Sequence, residues 1–429
     1  MSTPPKPAHR VVVTGVGALT NIGHTADEVW ASMRDGRSGI TPVDDEKFAR
    51  WTDEQWAVRI GGQIKGFDVT SRIDAREAKR IDRFALLGMC AADEAVTHAG
   101  IDFSAGDPTR AGVVIGSGIG GITAITDGIE TLNSRGPGRI NPFTVPKLMI
   151  NSASGHVSIR FGIEGPSSAP ATACASSGHA IAEAYRYVRD GLCDSALAGG
   201  AEAAFTPLCV GSFMTMKALS TRNDAPDKAS RPFDRDRDGF VLAEGAAVMV
   251  IESLEHARAR GAEILVELVG CGATSDAHHI TAPDPGGSGA SGSMRAALKD
   301  SGLNPSDIDY INAHGTSTPL GDAAEVAAAT AVFGDHARKS AGGRLLMSST
   351  KSVHGHCLGA SGGVESVACI NAITKGLVAP TINCDTPDES FDIDFVPHEA
   401  READIRCAMN NTFGFGGHNV TLIFKRFEA

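Results

Sequence analysis

Two ten-residue segments, VVVTGVGALT at Val11–Thr20 and VELVGCGATS at Val266–Ser275, share an apolar run, a glycine spacing and an alanine. Each opens a stretch in which short apolar runs alternate with helix-like segments. In the first stretch, 11–14, 112–115, 195–198 and 246–251 read as strands, and 75–100 and 176–190 as a helix or helical pair and a helix. In the second, 309–313, 345–348, 405–409 and 420–424 read as strands. Alternation of this kind predicts an α/β fold with parallel sheets. The segment match is short and by itself leaves duplication open. If it holds, the chain divides near residue 260 into halves spanning 1–260 and 261–429.

The chain has 429 residues, long for one ordinary domain. Its apolar fraction of 42% can fill a large core. With 39 basic against 51 acidic residues, the net charge is −12. That balance argues against a nucleic-acid partner, which requires a basic footprint. Nine scattered cysteines without a CxxC pair do not form a disulfide framework. Reduced thiols in a cytoplasmic protein are the simpler expectation. The start, MSTPPKPAHR, lacks the apolar stretch of a signal peptide, and no apolar run is long enough to span a membrane.

Cys174 lies in ATACASSGHA, just before the helix-like stretch 176–190. Small neighbours allow a sharp turn that presents the sulfur. A helix N-terminus favours thiolate, so the expectation is a lowered thiol pKa. His314 and His356 each follow an apolar run, and strand C-termini are where α/β sheets place ligands. Two imidazole donors aimed at one oxygen suit chemistry in which negative charge collects on a thioester carbonyl. Lys351, five residues before His356, is placed to orient or polarise that ring. His354, His356 and Cys357 are ligand-rich but lack the spacing of structural zinc sites, so no metal is expected. NTFGFGGHN sets glycines around Phe413 and Phe415, giving either a tight turn over core phenylalanines or a loop that lends a backbone N–H to an oxyanion. The charged stretch 222–239 is expected at a site rim, and 282–292 as a surface loop. Arg72, Arg76, Lys79, Arg80 and Arg83 would form one basic stripe on a helix.

Five motifs in order, TACASS, DRDRDGFVLAEGA, NAHGTSTPLGDAAE, STKSVHGHCLGASG and NTFGFGGHN, make the chain resemble the β-ketoacyl-acyl-carrier-protein synthases of the elongating kind. The resemblance runs from about residue 10 to 427. It implies a thiolase-like fold, two similar halves in a five-layered αβαβα structure, and a homodimer. It implies that Cys174 is the acylated nucleophile and that His314 and His356 complete a Cys-His-His set. Lys351 would support them, with Glu325 completing the lysine's network. The backbone amides of Cys174 and Phe415 would form the oxyanion hole, and Phe415 would also act as a gate. Thr316 and Thr318 would hold the phosphopantetheine arm, which the carrier supplies; no cofactor of the chain's own is implied. Phe240 would sit near the malonyl carboxylate, Phe413 would belong to the substrate site, and Ile119 and Phe213 would line the acyl tunnel. Acyl carrier proteins are acidic, so Arg76, Lys79 and Arg80, with Arg139 and Lys217, would dock one. His354, Ala243 and His418 depart from the usual pattern, which leaves chain-length class and pathway open. His356, where initiating synthases carry Asn, favours elongation in fatty-acid synthesis. A polyketide or specialised-lipid condensing enzyme, a non-condensing chain-length or scaffold subunit, and a thiol hydrolase are the alternatives; Cys174 argues against the scaffold.

Overall fold

The computed structural model describes residues 8–44, 46–49 and 52–428. The first seven residues, part of the segment read for a signal peptide, lie outside these. Ten strands carry the architecture. In the first half these are β1 (Val11–Thr20), β2 (Ala111–Gly116), β3 (Ser167–Ser168), β4 (Ser195–Glu202) and β5 (Gly245–Ser253). In the second they are β6 (Val266–Ser275), β7 (Tyr310–Asn312), β8 (Leu346–Ser348), β9 (Cys407–Gly414) and β10 (His418–Lys425). The first five run β3-β2-β4-β5-β1 across the sheet, and the second five run β6-β10-β9-β7-β8. Each strand therefore has a counterpart five numbers on, in the same place and direction. Only the pairs Val12↔Glu267 and Val13↔Val266 join the two sets.

The shared glycine spacing has a packing cause. Helix α1 (Arg83–Ala99) lies on β1, and a Cβ on Gly15 or Gly17 would overlap backbone of that helix at Ala95 and Ala91. Helix α3 (Ser288–Ser301) lies on β6, where Gly270 and Gly272 meet Ala297 and Ser293 in the same way. Alternate residues of a strand share a face, so each Gly-x-Gly clears one groove for a helix. A side chain at any of the four would overpack the interface, at a cost of about 1–3 kcal/mol.

The sheets are mixed, not wholly parallel as the alternation suggested. β5 runs against both β1 and β4, and β10 against both β6 and β9. The cause in the second half is local: β9 and β10 are joined by a three-residue turn, and such a short link allows only antiparallel pairing. Between the two sets of strands lie α2 (Ser176–Arg189) and α5 (Ser361–Lys375). On α5 nearly every residue is buried, as expected of a helix covered on both sides. With α1 outside one sheet, and α3 and α4 (Pro319–Phe333) outside the other, the layers are αβαβα.

The stretch 75–100 is a helical pair, one of its two readings, broken between Ala78 and Arg83, and two further expectations are corrected. Buried Asp82 caps α1 and also accepts the backbone N–H of Ala124. The five basic residues at 72–83 therefore do not form one helical stripe. The stretch 282–292 is not simply a surface loop, because α3 begins at Ser288 within it and its first residues line the central cavity. Among the described residues, no helix is long and apolar enough to cross a membrane.

Candidate active site

The turn that carries Cys174 is built on strain. Ala173 takes φ 50°, a left-handed conformation that costs an L-residue roughly 1–2 kcal/mol. The Ser176 hydroxyl pins the turn, donating to Ala173 O at 2.7 Å and accepting from Thr172 N at 2.9 Å. Cys174 then stands at the N-terminus of α2 with its sulfur facing a cavity of about 600 Å³. The turn before α5 repeats this construction: Leu358 has φ 45°, a short 3-10 segment follows, and Ser361 opens the helix. Gly359 stands there where Cys174 stands in the first half.

His314 and His356 reach the same cavity from the second half. His356 Nε2 is 3.0 Å from Cys174 Sγ, and its Nδ1 is 2.9 Å from Ser361 Oγ. A hydroxyl donates or accepts, so either tautomer of His356 is accommodated. The two imidazole centroids are 5.4 Å apart, nearly perpendicular. Burial first, then the charge of Lys351, holds both histidines well below their usual pKa, so both are neutral. Lys351 Nζ lies 3.5 Å from His314 Nδ1. An ammonium only donates, so Nδ1 accepts and the His314 proton sits on Nε2.

The lysine contacts correct two readings. Lys351 lies behind His314, not beside His356. Its ion-pair partner is Glu365 of α5, fully buried, while Glu325 reaches the lysine only as a nearby charge. Glu325 instead accepts the backbone N–H groups of His314 at 2.8 Å and Gly315 at 2.7 Å, and so fixes the turn that presents His314. Sequence reasoning missed Glu365 and Ser361. The one available signal was a single acid in an otherwise apolar helix.

The thiol also departs from expectation. Burial pushes Cys174 up to about 12, against the pull of Lys351 and the backbone amides of Phe415 and Cys174 itself. The helix terminus does not leave a free thiolate; a base has to take the proton. Those two amides reach the sulfur because the β9–β10 turn packs on the nucleophile turn, where a Cβ on Gly414 would come within 2.6 Å of Thr172 O. The motif around Phe413 and Phe415 is thus both a tight turn and a donor of an N–H toward the nucleophile.

Aromatic rings line the rest. Phe240 meets His356 edge-on at 5.3 Å, and Phe413 lies 5.8 Å from His314. Phe213 bridges Phe240 at 5.3 Å and Phe415 at 6.5 Å. Ile119 completes the apolar wall. Thr316 and Thr318 sit on the cavity wall with hydroxyls 2.9 Å apart, brought to one side by Ser317 at φ 69°. Asp238 and Gly239, from the charged stretch 222–239, form part of the rim.

The only three His, Cys, Asp or Glu groups that converge tightly among the described residues are Cys174, His314 and His356, with ligand atoms within 4.8 Å of one another. His354 is turned away, bonded to Thr350 Oγ1 at 3.2 Å. Of the basic residues, Arg76, Lys79, Arg139 and Lys217 are exposed, and Lys217 lies at the cavity mouth. Arg80 stacks on Phe143 at 5.2 Å. Arg72 and Arg83 are engaged internally, Arg72 with backbone carbonyls and Arg83 with Glu244.

Comparison with known proteins gives the same outline. Residues 8–257 match the family model for the beta-ketoacyl synthase N-terminal domain, and 265–385 that for the C-terminal domain. The chain is 46% identical over 419 residues to a 3-oxoacyl-[acyl-carrier-protein] synthase 2 of Synechocystis sp., covering 98% of each. It is 47% identical over 420 residues to one of Staphylococcus aureus, covering 98% of this chain and 99% of the other. Among solved structures, a type II PKS ketosynthase in complex with its acyl-carrier protein is 31% identical with a TM-score of 0.89. A beta-ketoacyl synthase from Burkholderia phymatum is 34% identical with a TM-score of 0.88. Each alignment covers 98% of this chain and all of the solved one. Matched from end to end in sequence and in fold, the chain belongs to the beta-ketoacyl synthase family.

Proposed function

We propose that this protein is a 3-oxoacyl-[acyl-carrier-protein] synthase, which lengthens acyl chains in fatty-acid synthesis by decarboxylative Claisen condensation. One observation carries the reading: a buried thiol 3.0 Å from a neutral imidazole, with a second imidazole in the same cavity and two backbone N–H groups at the sulfur.

Cys174 attacks the acyl thioester on the carrier. His356 takes the thiol proton and returns it to the departing phosphopantetheine thiolate, leaving acyl-Cys174. Covalent capture divides one hard step into two easier ones. Malonyl-carrier then enters, its arm against Thr316 and Thr318 and its carboxylate near Phe240. Breaking the C–C bond releases CO2 and leaves an enolate, whose oxygen accepts from His314 Nε2–H and from His356 in its Nε2–H tautomer, in which Nδ1 accepts from Ser361 Oγ. The enolate carbon attacks the acyl-Cys174 carbonyl, and that oxygen collects its charge at the Cys174 and Phe415 amides. Loss of one such donor typically costs about 10²–10³ in rate. Collapse releases the 3-oxoacyl-carrier and restores the cysteine. The pantetheine belongs to the carrier and the steps call for no group of the enzyme's own.

Lys217 at the mouth, with Arg76, Lys79, Arg80 and Arg139, forms the dock for the acidic carrier, and the enzyme works as a cytoplasmic homodimer. The halves 1–260 and 261–429 divide the labour, the first carrying the nucleophile and the second both histidines. The 46–47% full-length identity to fatty-acid enzymes favours this over a polyketide role. The test is intact mass after mixing with acyl-carrier and then malonyl-carrier. A gain equal to the acyl group, absent in Cys174→Ala and discharged as a product two carbons longer, is expected. No gain with several chain lengths would sink the reading, and discharge to water without malonyl-carrier would indicate a hydrolase.

A further inference from the structure

Glu202 closes β4 with its side chain fully buried, 0% exposed. Oε1 accepts from Ser117 Oγ at 2.8 Å and Ile119 N at 3.3 Å. Oε2 accepts from Gly118 N at 2.7 Å and Gly359 N at 3.1 Å. Three of these donors are backbone amides, which cannot accept; burial raises the Glu202 pKa, and these four hydrogen bonds pull against that rise by favouring the carboxylate. Ser117 Oγ in turn accepts Gly120 N at 3.0 Å, extending the clamp along the loop. Among the described residues, no Lys, Arg or His forms an ion pair with Glu202, so its charge rests on these donors.

The carboxylate lies where three segments of the site meet. One is the loop after β2, whose Gly118 and Ile119 line the cavity. Another is the nucleophile turn, since a Cβ on Gly118 would come within 2.9 Å of Glu202 Oε2 and 3.1 Å of Ala173 O. The third is the turn after His356, since a Cβ on Gly359 would come within 2.7 Å of the same oxygen. Both glycines are therefore required by the wedge. None of the chemistry above uses Glu202.

We propose that Glu202 is a positioning residue that sets acyl-chain selectivity, holding the Ile119 wall in register with the nucleophile turn and the His356 turn. This rests on the condensing reading. The Glu202 charge also opposes thiolate formation at Cys174, against the pull of Lys351, while His314 and His356 are the other titratable groups that converge on the sulfur.

Glu202→Gln keeps the size, removes the charge and turns an NH2 group toward amide donors, leaving a buried donor unpaired. The ratio of kcat/KM for long over short acyl-carriers is expected to change at least about fivefold. The pH midpoint for iodoacetamide alkylation of Cys174 is expected to fall by at least about half a unit. The selectivity change should vanish in an Ile119→Ala background, because contacting groups couple. If Glu202→Gln does not fold, Ser117→Ala removes a single donor and should shift selectivity the same way. A folded Glu202→Gln with the wild-type selectivity and midpoint, or a folded Ser117→Ala with unchanged selectivity, overturns the proposal. If the wild type condenses no chain, the condensing reading fails instead, and the alkylation midpoint still decides whether Glu202 acts on the site.

Discussion

His356→Ala separates two ways of activating Cys174. With the thiol pushed up to about 12, forming free thiolate at pH 7.5 lies uphill by roughly 4.5 pK units, or about 6 kcal/mol. In the proposed mechanism the wild type avoids that species because Nε2, at 3.0 Å, takes the proton as sulfur attacks. General-base catalysis of this kind contributes about 10²–10⁴-fold. Acyl transfer from acyl-carrier to Cys174, followed by quenched intact mass, should slow by that factor at pH 7.5. Its logarithm should then rise with pH at about unit slope to beyond pH 10, as specific base replaces the imidazole. The wild-type rate should be flat across pH 7–9, since His356 is neutral throughout. Transfer by His356→Ala at close to the wild-type rate, with a flat profile, would refute the argument and return activation to the helix terminus and Lys351.

Three other outcomes follow from buried charge and surface charge. Lys351→Met strands Glu365 in the core and should cost about 3–5 kcal/mol in urea unfolding at pH 8, while adding Glu365→Leu should recover most of it. Burial raises Glu325 from 4.5 to about 7, so the folded state holds a proton that the unfolded chain has released; the stability of the wild type relative to Glu325→Gln should fall by about 3 kcal/mol as pH rises from 4.5 to 7 in a paired urea-unfolding series. Reversing charge with Arg76→Glu and Lys79→Glu should raise KM for acyl-carrier about tenfold at low ionic strength with kcat unchanged, and the effect should shrink above about 0.5 M salt.

What could be read from the chain was whatever a local pattern encodes. Gly15 and Gly17, like Gly270 and Gly272, are spaced by the strand repeat, so the duplication was visible in ten residues. Small residues around Cys174 marked a turn before α2, and His314 and His356 followed apolar runs because strand ends build the site. What depended on distant packing was hidden. The partner of Lys351 lies 14 residues on, just past the first turn of α5, and only the fold decides that Glu365, not Glu325, meets the ammonium. The basic run at 72–83 has helical spacing, but the helix stops at Ala78 and a new one starts only at Arg83, capped by Asp82, which also holds Ala124 of another segment. Thiol acidity followed the same rule: the helix terminus is local and legible, whereas the desolvation that outweighs it comes from the whole fold.

The two turns with left-handed residues, before α2 and before α5, are matching sockets in a symmetric frame. Only one is open. At the first, a side chain projects into the cavity; at the second, a Cβ on Gly359 would be driven into Gly118 and the Glu202 carboxylate. The carboxylate beside the one cavity thus blocks its rotational counterpart. A cysteine transferred to position 359 would not yield a spare nucleophile but would force apart the wall of the existing one. The halves retain a common plan and are no longer exchangeable, and the molecule has a single direction of catalysis built from a frame that has two.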